Sequence, residues 1–278
     1  MSIATAEDRT AAGASERAMK EPAWLIWIRL HSRAGYGVLG VAVVLVAWQV
    51  SSSLGLVNVT IASDPIRVIK AEISLFSSGH IWGPLGVTAE EVGWGMLITL
   101  LISIPLGLVL GRVTALYDMT EPIINVLNSV PYVLFLPVII FWFGIGQESR
   151  ILLVIWAATM PLIINTTAGV RNLNSDYIRV AKMCCAGKWT FYRSVLFPAT
   201  LPYILTGIRL SIARALVGAI VAEFFLSGGG LGYFVQTATS NFDMDSAMAG
   251  IFIMAVAAVI LTRLIGRMEH RFTHWSQG

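Results

Sequence analysis

The chain is predicted to be an all-α membrane protein with six transmembrane helices, on three observations. Of its 278 residues, 56% are hydrophobic and 13% charged, too apolar and too charge-poor for an ordinary water-soluble domain. Apolar residues gather in six stretches, 36–54, 88–111, 121–143, 150–170, 200–226 and 244–265, each near the roughly 20 residues a helix needs to cross the hydrocarbon core. Within each stretch they run continuously instead of alternating. Lipid supplies no water for unpaired backbone groups, so the stretches read as helices rather than barrel strands.

The elements follow in order. Residues 1–35 read as a cytoplasmic N-terminal segment, polar at first and then amphipathic, with Trp24 and Trp27 beside Arg29 and Arg33. No apolar stretch lies early enough for a cleavable signal peptide, so the first span is expected to remain as an anchor. Residues 36–266 form the six-helix domain, which includes a cytoplasmic loop at 172–199, and 267–278 form a cytoplasmic tail. Orientation follows from Lys and Arg, which collect on the cytoplasmic side of short loops. Arg9, Arg17, Lys20, Arg29, Arg33, Arg112, Arg171, Arg179, Lys182, Lys188, Arg193, Arg263, Arg267 and Arg271 fall on one side, against Arg67, Lys70 and Arg150 on the other. Both termini are therefore expected in the cytoplasm of a bacterium, with the chain multi-pass in its cytoplasmic (inner) membrane. Basic flanks facing anionic membrane lipids account for a pI near 9.0 without any nucleic-acid partner.

Pro105, Pro131, Pro137 and Pro161 interrupt the spans. Each lacks a helix hydrogen bond and marks either a packing kink or a place where a water-lined pathway satisfies the freed carbonyl. Gly207, Ser211, Ala215 and Ala219 recur every four residues in span five, and Gly107 and Gly111 end span two. Such stripes let helix backbones approach closely, whether the neighbour is in this chain or a second subunit. Arg209, Arg214 and Glu223 are the charges of span five, and ionisable groups inside a membrane are functional candidates by default. Arg209 lies near the cytoplasmic end and fits a structural, snorkelling role. Arg214 is deeper and either faces the pathway or pairs with an acid. Glu223 is nine residues beyond Arg214, too far for a direct pair, and is expected to bond the glycine turn that follows rather than substrate. Cys184 and Cys185 are adjacent, a poor spacing for a shared zinc site, and His31, His80, His270 and His274 are scattered. No metal, catalytic set or cofactor of this chain's own is expected.

The basic connection from Asn172 to Thr200 reads as a short helix, a turn near Gly187, an amphipathic piece ending at Phe197, and Pro198. It resembles the ATPase-coupling loop of binding-protein-dependent ABC permeases, whose pattern is E-A-A, three residues, G, a spacer and a proline. Here the pattern reads Arg179-Val180-Ala181, Lys182-Met183-Cys184, Cys185, then Ala186-Gly187-Lys188-Trp189 and Leu196-Phe197-Pro198. Arg179 replaces the family's Glu and Cys185 its Gly. A glycine needed only for close approach tolerates the small Cys185, whereas one needed for positive φ does not do so cheaply.

Three further stretches resemble the sulfonate, taurine, nitrate and bicarbonate permease family: Ser129-Val130-Pro131-Tyr132 through Leu136-Pro137 to Trp142-Phe143-Gly144-Ile145-Gly146; Gly207-Ile208-Arg209 through Arg214-Ala215 to Val221-Ala222-Glu223; and Gly230-Leu231-Gly232-Tyr233. Where that family has an arginine near the start of span two, this chain has Glu90 and Glu91. The resemblance implies the type I ABC importer permease fold, a homodimer, two ABC ATP-binding subunits that bind ATP and Mg, and a periplasmic or lipid-anchored solute-binding protein. It also implies alternating access, with the segment from Asp176 to Lys188 transmitting the ATPase movement, and a small anion as cargo. The chain has no G-x-x-x-x-G-K-[ST] phosphate loop of its own. An ion-coupled secondary transporter is the alternative, although its usual marks are internal repeats and intramembrane acids, and the chain shows no clear repeat and few such acids.

Overall fold

A computed structural model describes residues 23–56 and 58–273, apart from the side chains of 23–34, 59, 60, 188 and 268–273. Most of the predicted N-terminal segment lies outside the described residues, as do His274 and the side chains of Trp24, Trp27, Arg29, Arg33, Lys188 and His270. The chain divides into two units, one ending at Ile66 and one beginning at Arg67. The first contains α1 (Ala23–Ser53) and the short α2 (Val59–Ala62), and the Gln49 side chain in α1 accepts a hydrogen bond from the Ile66 amide at 3.3 Å.

From α3 (Pro65–Ser78) onward the chain is a succession of helices: α4 (Trp82–Arg112), α5 (Thr114–Ser129), a 3-10 turn (Tyr132–Phe135), α6 (Leu136–Phe143), α7 (Gln147–Arg171), α8 (Ser175–Met183), α9 (Lys188–Phe191), a π-turn (Tyr192–Leu196), α10 (Phe197–Phe225), α11 (Leu231–Ser240) and α12 (Met244–Thr273). Among the described residues, five segments are long and apolar enough to cross a membrane, and α5 with residues 132–143 makes a sixth, bent by 93°.

That bend corrects the expectation of one continuous third span at 121–143. The residue before a proline is pushed out of the helical region, and Val130 is extended at φ −75°, ψ 127°. Pro131 then offers no N–H, and the chain restarts through the 3-10 turn. Pro137 falls in the first turn of α6, where a missing N–H costs no helical bond, so it starts a helix instead of interrupting one. Pro105 and Pro161 lie inside continuous helices, as do Pro122 and Pro202.

The core of the second unit is α7, held between α4 and α10. It buries Leu153, Val154, Ala157, Ala158, Leu162 and Ile163. On one side it meets the α4 stripe Gly95, Thr99, Ser103, Gly107 and Gly111, spaced every four residues. A Cβ added at Gly107 would lie 2.6 Å from the Thr166 Cβ, and one at Gly95 or Gly111 would collide with Val154 or Val170. On the other side it meets Gly207, Ser211, Ala215, Gly218 and Ala219 of α10, where the Ser211 hydroxyl donates to the Ala158 carbonyl at 2.8 Å. Both small-residue stripes thus serve packing within one chain. In lipid, which solvates apolar side chains as well as protein does, this close van der Waals contact replaces the hydrophobic effect as the force between helices. The outward faces keep large apolar residues, such as Val256, Val259, Ile260 and Leu264 of α12, as a lipid-facing surface requires.

Candidate functional site

The loop between α7 and α10 is structured through most of its length. At the start of α8, the Asn174 side chain accepts the Asp176 amide at 2.9 Å, a cap that satisfies one of the helix's orphan donors. At its end the Ala186 amide reaches the Ala181 carbonyl and the Cys185 amide the Lys182 carbonyl, both at 3.0 Å. These two bonds are the Schellman closure, whose turning residue is left-handed and usually glycine. That residue is Cys185, at φ 50°. It is exposed, so the position demands positive φ rather than close approach.

One cation–π contact ties the loop to a helix end, and a second joins two of the helix ends beside it. The Arg112 guanidinium at the end of α4 sits 5.4 Å from the Phe191 ring centroid, and Arg171 at the end of α7 lies 3.8 Å from that of Tyr117 in α5. Ala181 is buried, whereas Tyr177, Val180, Met183 and Trp189 project outward, Met183 and Trp189 with more than three quarters of their surface exposed. Arg179 is also exposed, and its contact with Asp176 at 3.4 Å on the same helix is a surface pair of small energetic weight. Gly187 lies in the exposed turn and Pro198 in the first turn of α10.

The opposite end of the bundle holds a buried polar cluster. Glu223 of α10 accepts the Thr88 hydroxyl at 2.7 Å and the Gly232 amide at 2.6 Å, and the Leu231 amide donates to the Thr88 oxygen at 2.9 Å. Three helices and the glycine turn therefore converge on one carboxylate and one hydroxyl. Gly230, at φ 92°, packs so closely that a Cβ there would run into the Glu223 carboxyl. Beside it the Arg150 Nε donates to Glu91 at 2.6 Å and its Nη1 to the Ser227 carbonyl at 2.9 Å. Arg150 is 4% exposed and Glu91 0%. Arg150, counted as a loop charge by its sequence position, is a buried member of α7. The signals that point to it are Glu91 within one apolar stretch and an arginine that opens another.

Arg209 and Arg214 lie off the packed stripe of α10. Arg209 is exposed beside Gly266 of α12. Arg214 is exposed midway along α10 and lines a narrow cleft at the break of the third span, together with Asn128, Val130, Tyr132, Trp156 and Met160. Among the described residues no carboxylate pairs with it. Pro131 forms the break itself, while Pro137 stands one helical start beyond it.

The sequence pattern of the family described as binding-protein-dependent transport system inner membrane component matches residues 103–274. The putative aliphatic sulfonates transport permease protein SsuC of Bacillus subtilis (strain 168) is 33% identical over 242 residues, 86% of this chain and 87% of that protein. The taurine transport system permease protein TauC of Escherichia coli (strain K12) is 28% identical, covering 84% and 87%, and the nitrate import permease protein NrtB of Synechocystis sp. is 27% identical, covering 83% and 86%. Among solved structures, an inward-facing conformation of the MetNI methionine ABC transporter (CY5 native crystal form) superposes with a TM-score of 0.63 at 16% identity, covering 70% of this chain and 99% of that one.

Proposed function

Because the chain belongs to the binding-protein-dependent transport system inner membrane components, among the ABC permeases of the sulfonate, taurine and nitrate family, we propose that it forms the translocation pathway of an importer for a small organic or inorganic anion. A sulfonate, taurine, nitrate or bicarbonate is the expected cargo. Transport proceeds by alternating access, driven by two copies of a separate ABC subunit that bind ATP and Mg, and a solute-binding protein delivers the cargo. Two copies of this chain frame the pathway. Both termini and the α8 loop face the cytoplasm, and the glycine turn faces outward.

The observation that carries the coupling role is the loop that α8 begins: a capped helix with Tyr177, Val180 and Met183 uncovered, followed by α9, whose Phe191 ring lies against the Arg112 guanidinium at the end of α4. Apolar side chains beside Arg179 and Lys182 outside the lipid-spanning helices are suited to a protein partner. A push on α8 is passed to α7 and α10, which it joins, and through them to the packed core. Arg179, Val180, Ala181, Cys185, Gly187, Trp189 and Pro198 belong to this coupling element. ATP binding and delivery by the loaded binding protein each favour the same outward-facing state, and so reinforce one another. No bond is made or broken by this chain.

The test is purification of the tagged chain from its native gene cluster, then reconstitution in liposomes. Recovery of an ABC ATPase whose hydrolysis rises with a loaded binding protein is the expected result. Solute movement by the chain alone, driven by an ion gradient and indifferent to ATP, would sink the proposal.

A further inference from the structure

We propose that Arg209, Arg263 and Arg267 form a binding site for the phosphate of an anionic phospholipid, at the end of α10 and α12 opposite the buried polar cluster. The two helices pack against each other, with Ile208 and Ile212 of α10 and Ala258 and Leu261 of α12 turned to the same core. Arg209 precedes Glu223 by 14 residues on one continuous helix, about 21 Å at 1.5 Å per residue. Counted from the polar cluster, its backbone is still short of the far side of a ~30 Å hydrocarbon core. A charge there is costly unless a long side chain carries it to the headgroups. The Arg209 side chain ends at α12: its guanidinium carbon lies 3.9 Å from the point at which a Cβ on Gly266 would stand.

Gly266 stands between Arg263, one turn before it, and Arg267, next in the chain, and both arginines are exposed. Residues three and four apart share a helix face, so Val256, Val259, Arg263 and Arg267 run down one side of α12. Val256 and Val259 are half-exposed and belong to the lipid-facing surface of that helix. The apolar stripe that meets an acyl chain therefore ends in two guanidiniums, and a third arrives beside them from α10. From Val259 to Thr273, α12 carries Arg263, Arg267 and Arg271 against one acid, Glu269, so Arg209 adds to an existing excess of positive charge. A guanidinium fork matches two phosphate oxygens, and basic groups between spans on the cytoplasmic side suit anionic headgroups. A soluble phosphate would meet the same guanidiniums but has nothing to lay along Val256 and Val259, which favours the lipid. That the leaflet is the cytoplasmic one rests on the importer reading; the binding is a property of this chain alone.

The experiment uses the full chain in a neutral detergent, without an ATPase, and counts bound lipid by native mass spectrometry during titration with dioleoylphosphatidylglycerol or dioleoylphosphatidylcholine. The unmodified chain is expected to hold the first phosphatidylglycerol about tenfold more tightly than phosphatidylcholine. Arg209→Gln, Arg263→Gln and Arg267→Gln together remove that preference. Arg209→Lys, Arg263→Lys and Arg267→Lys together keep the charge without the fork, and weaken it about threefold. Arg209→Gln alone also weakens it about threefold, which a site on α12 by itself would not show. Taking three charges from the preceding loop, with Arg179→Gln, Lys182→Gln and Arg193→Gln, leaves the preference in place. Equal losses in the two glutamine triples, an unchanged preference in Arg209→Gln, or no preference in the unmodified chain overturns the site. Displacement of phosphatidylglycerol by inorganic phosphate, beyond that by sodium chloride at matched ionic strength, identifies a soluble anion and overturns the lipid assignment. Should the triple variant at 209, 263 and 267 fail to fold, Arg209→Gln decides alone. Failure to recover an ATPase with the lipid preference intact defeats the importer reading and leaves the site standing; an ATPase-coupled chain with no preference does the reverse.

Discussion

A left-handed conformation costs a residue with a Cβ roughly 1–2 kcal/mol relative to one in the right-handed region, and Cys185 carries that cost at the end of α8. Cys185→Gly is therefore expected to stabilise the helix end by about 1 kcal/mol, which slows hydrogen exchange of the last α8 amides about fivefold. Unchanged or faster exchange would show that the turn relaxes away from positive φ. The replacement of glycine was legible from the sequence, and so were the two possible reasons for a glycine there; only the backbone angle separates them. Arg150 and Glu91 were less legible because their partnership joins residues 59 apart, and no periodic pattern reports such a pair. Removing one member of a buried pair leaves the other without its counter-charge, at a cost of about 3–5 kcal/mol. Arg150→Met and Glu91→Met should each lower the unfolding temperature of the detergent-solubilised chain. The double variant should lose less than the two separate losses combined, and simple additivity would deny the pair its structural role.

At the scale of elements, continuous apolar runs located five spans and the bent pair that stands where the third was expected, because lipid imposes a length and forbids unpaired backbone. The 93° bend at Val130-Pro131 was harder to read. Pro131 and Pro137 look alike in sequence, yet one ends a helix and the other starts one: Pro131 follows the extended Val130, whereas Pro137 falls in a first turn, where its missing N–H costs no helical bond. Small-residue stripes were visible in α10 and at the end of α4, but their shared partner α7 was not, since a stripe records how close a neighbour comes and not which neighbour it is. The α4 stripe makes a prediction with an internal control. Gly107→Leu drives a side chain into Thr166, and overpacking of this kind costs about 1–3 kcal/mol. Gly93→Leu, on the same helix with nothing within 4 Å, should leave the unfolding temperature unchanged or higher. Equal losses in both would mean that backbone propensity, not contact with α7, governs the helix.

For the whole molecule, direction in the membrane decides whether the uncovered α8 surface faces the compartment that holds ATP. The basic residues argue for the cytoplasm through the charge rule for short loops, an argument from sequence that helix packing does not repeat, because a bundle packs equally well in either direction. The chain supplies its own reporter. Its two cysteines, Cys184 and Cys185, are both exposed at the end of α8, so a membrane-impermeant maleimide reads the side of the loop without any engineered label. With the chain expressed apart from partner subunits, inside-out vesicles should be labelled and intact spheroplasts should not. Spheroplast labelling would place α8 outside the cell, separate it from ATP and remove the physical basis for coupling, however well the helices superpose on those of an ABC transporter. Labelling from the inside only, followed by its suppression when the ATPase is co-expressed, would locate the contact at the coupling helix, because a docked subunit shields the thiols that the free chain leaves open.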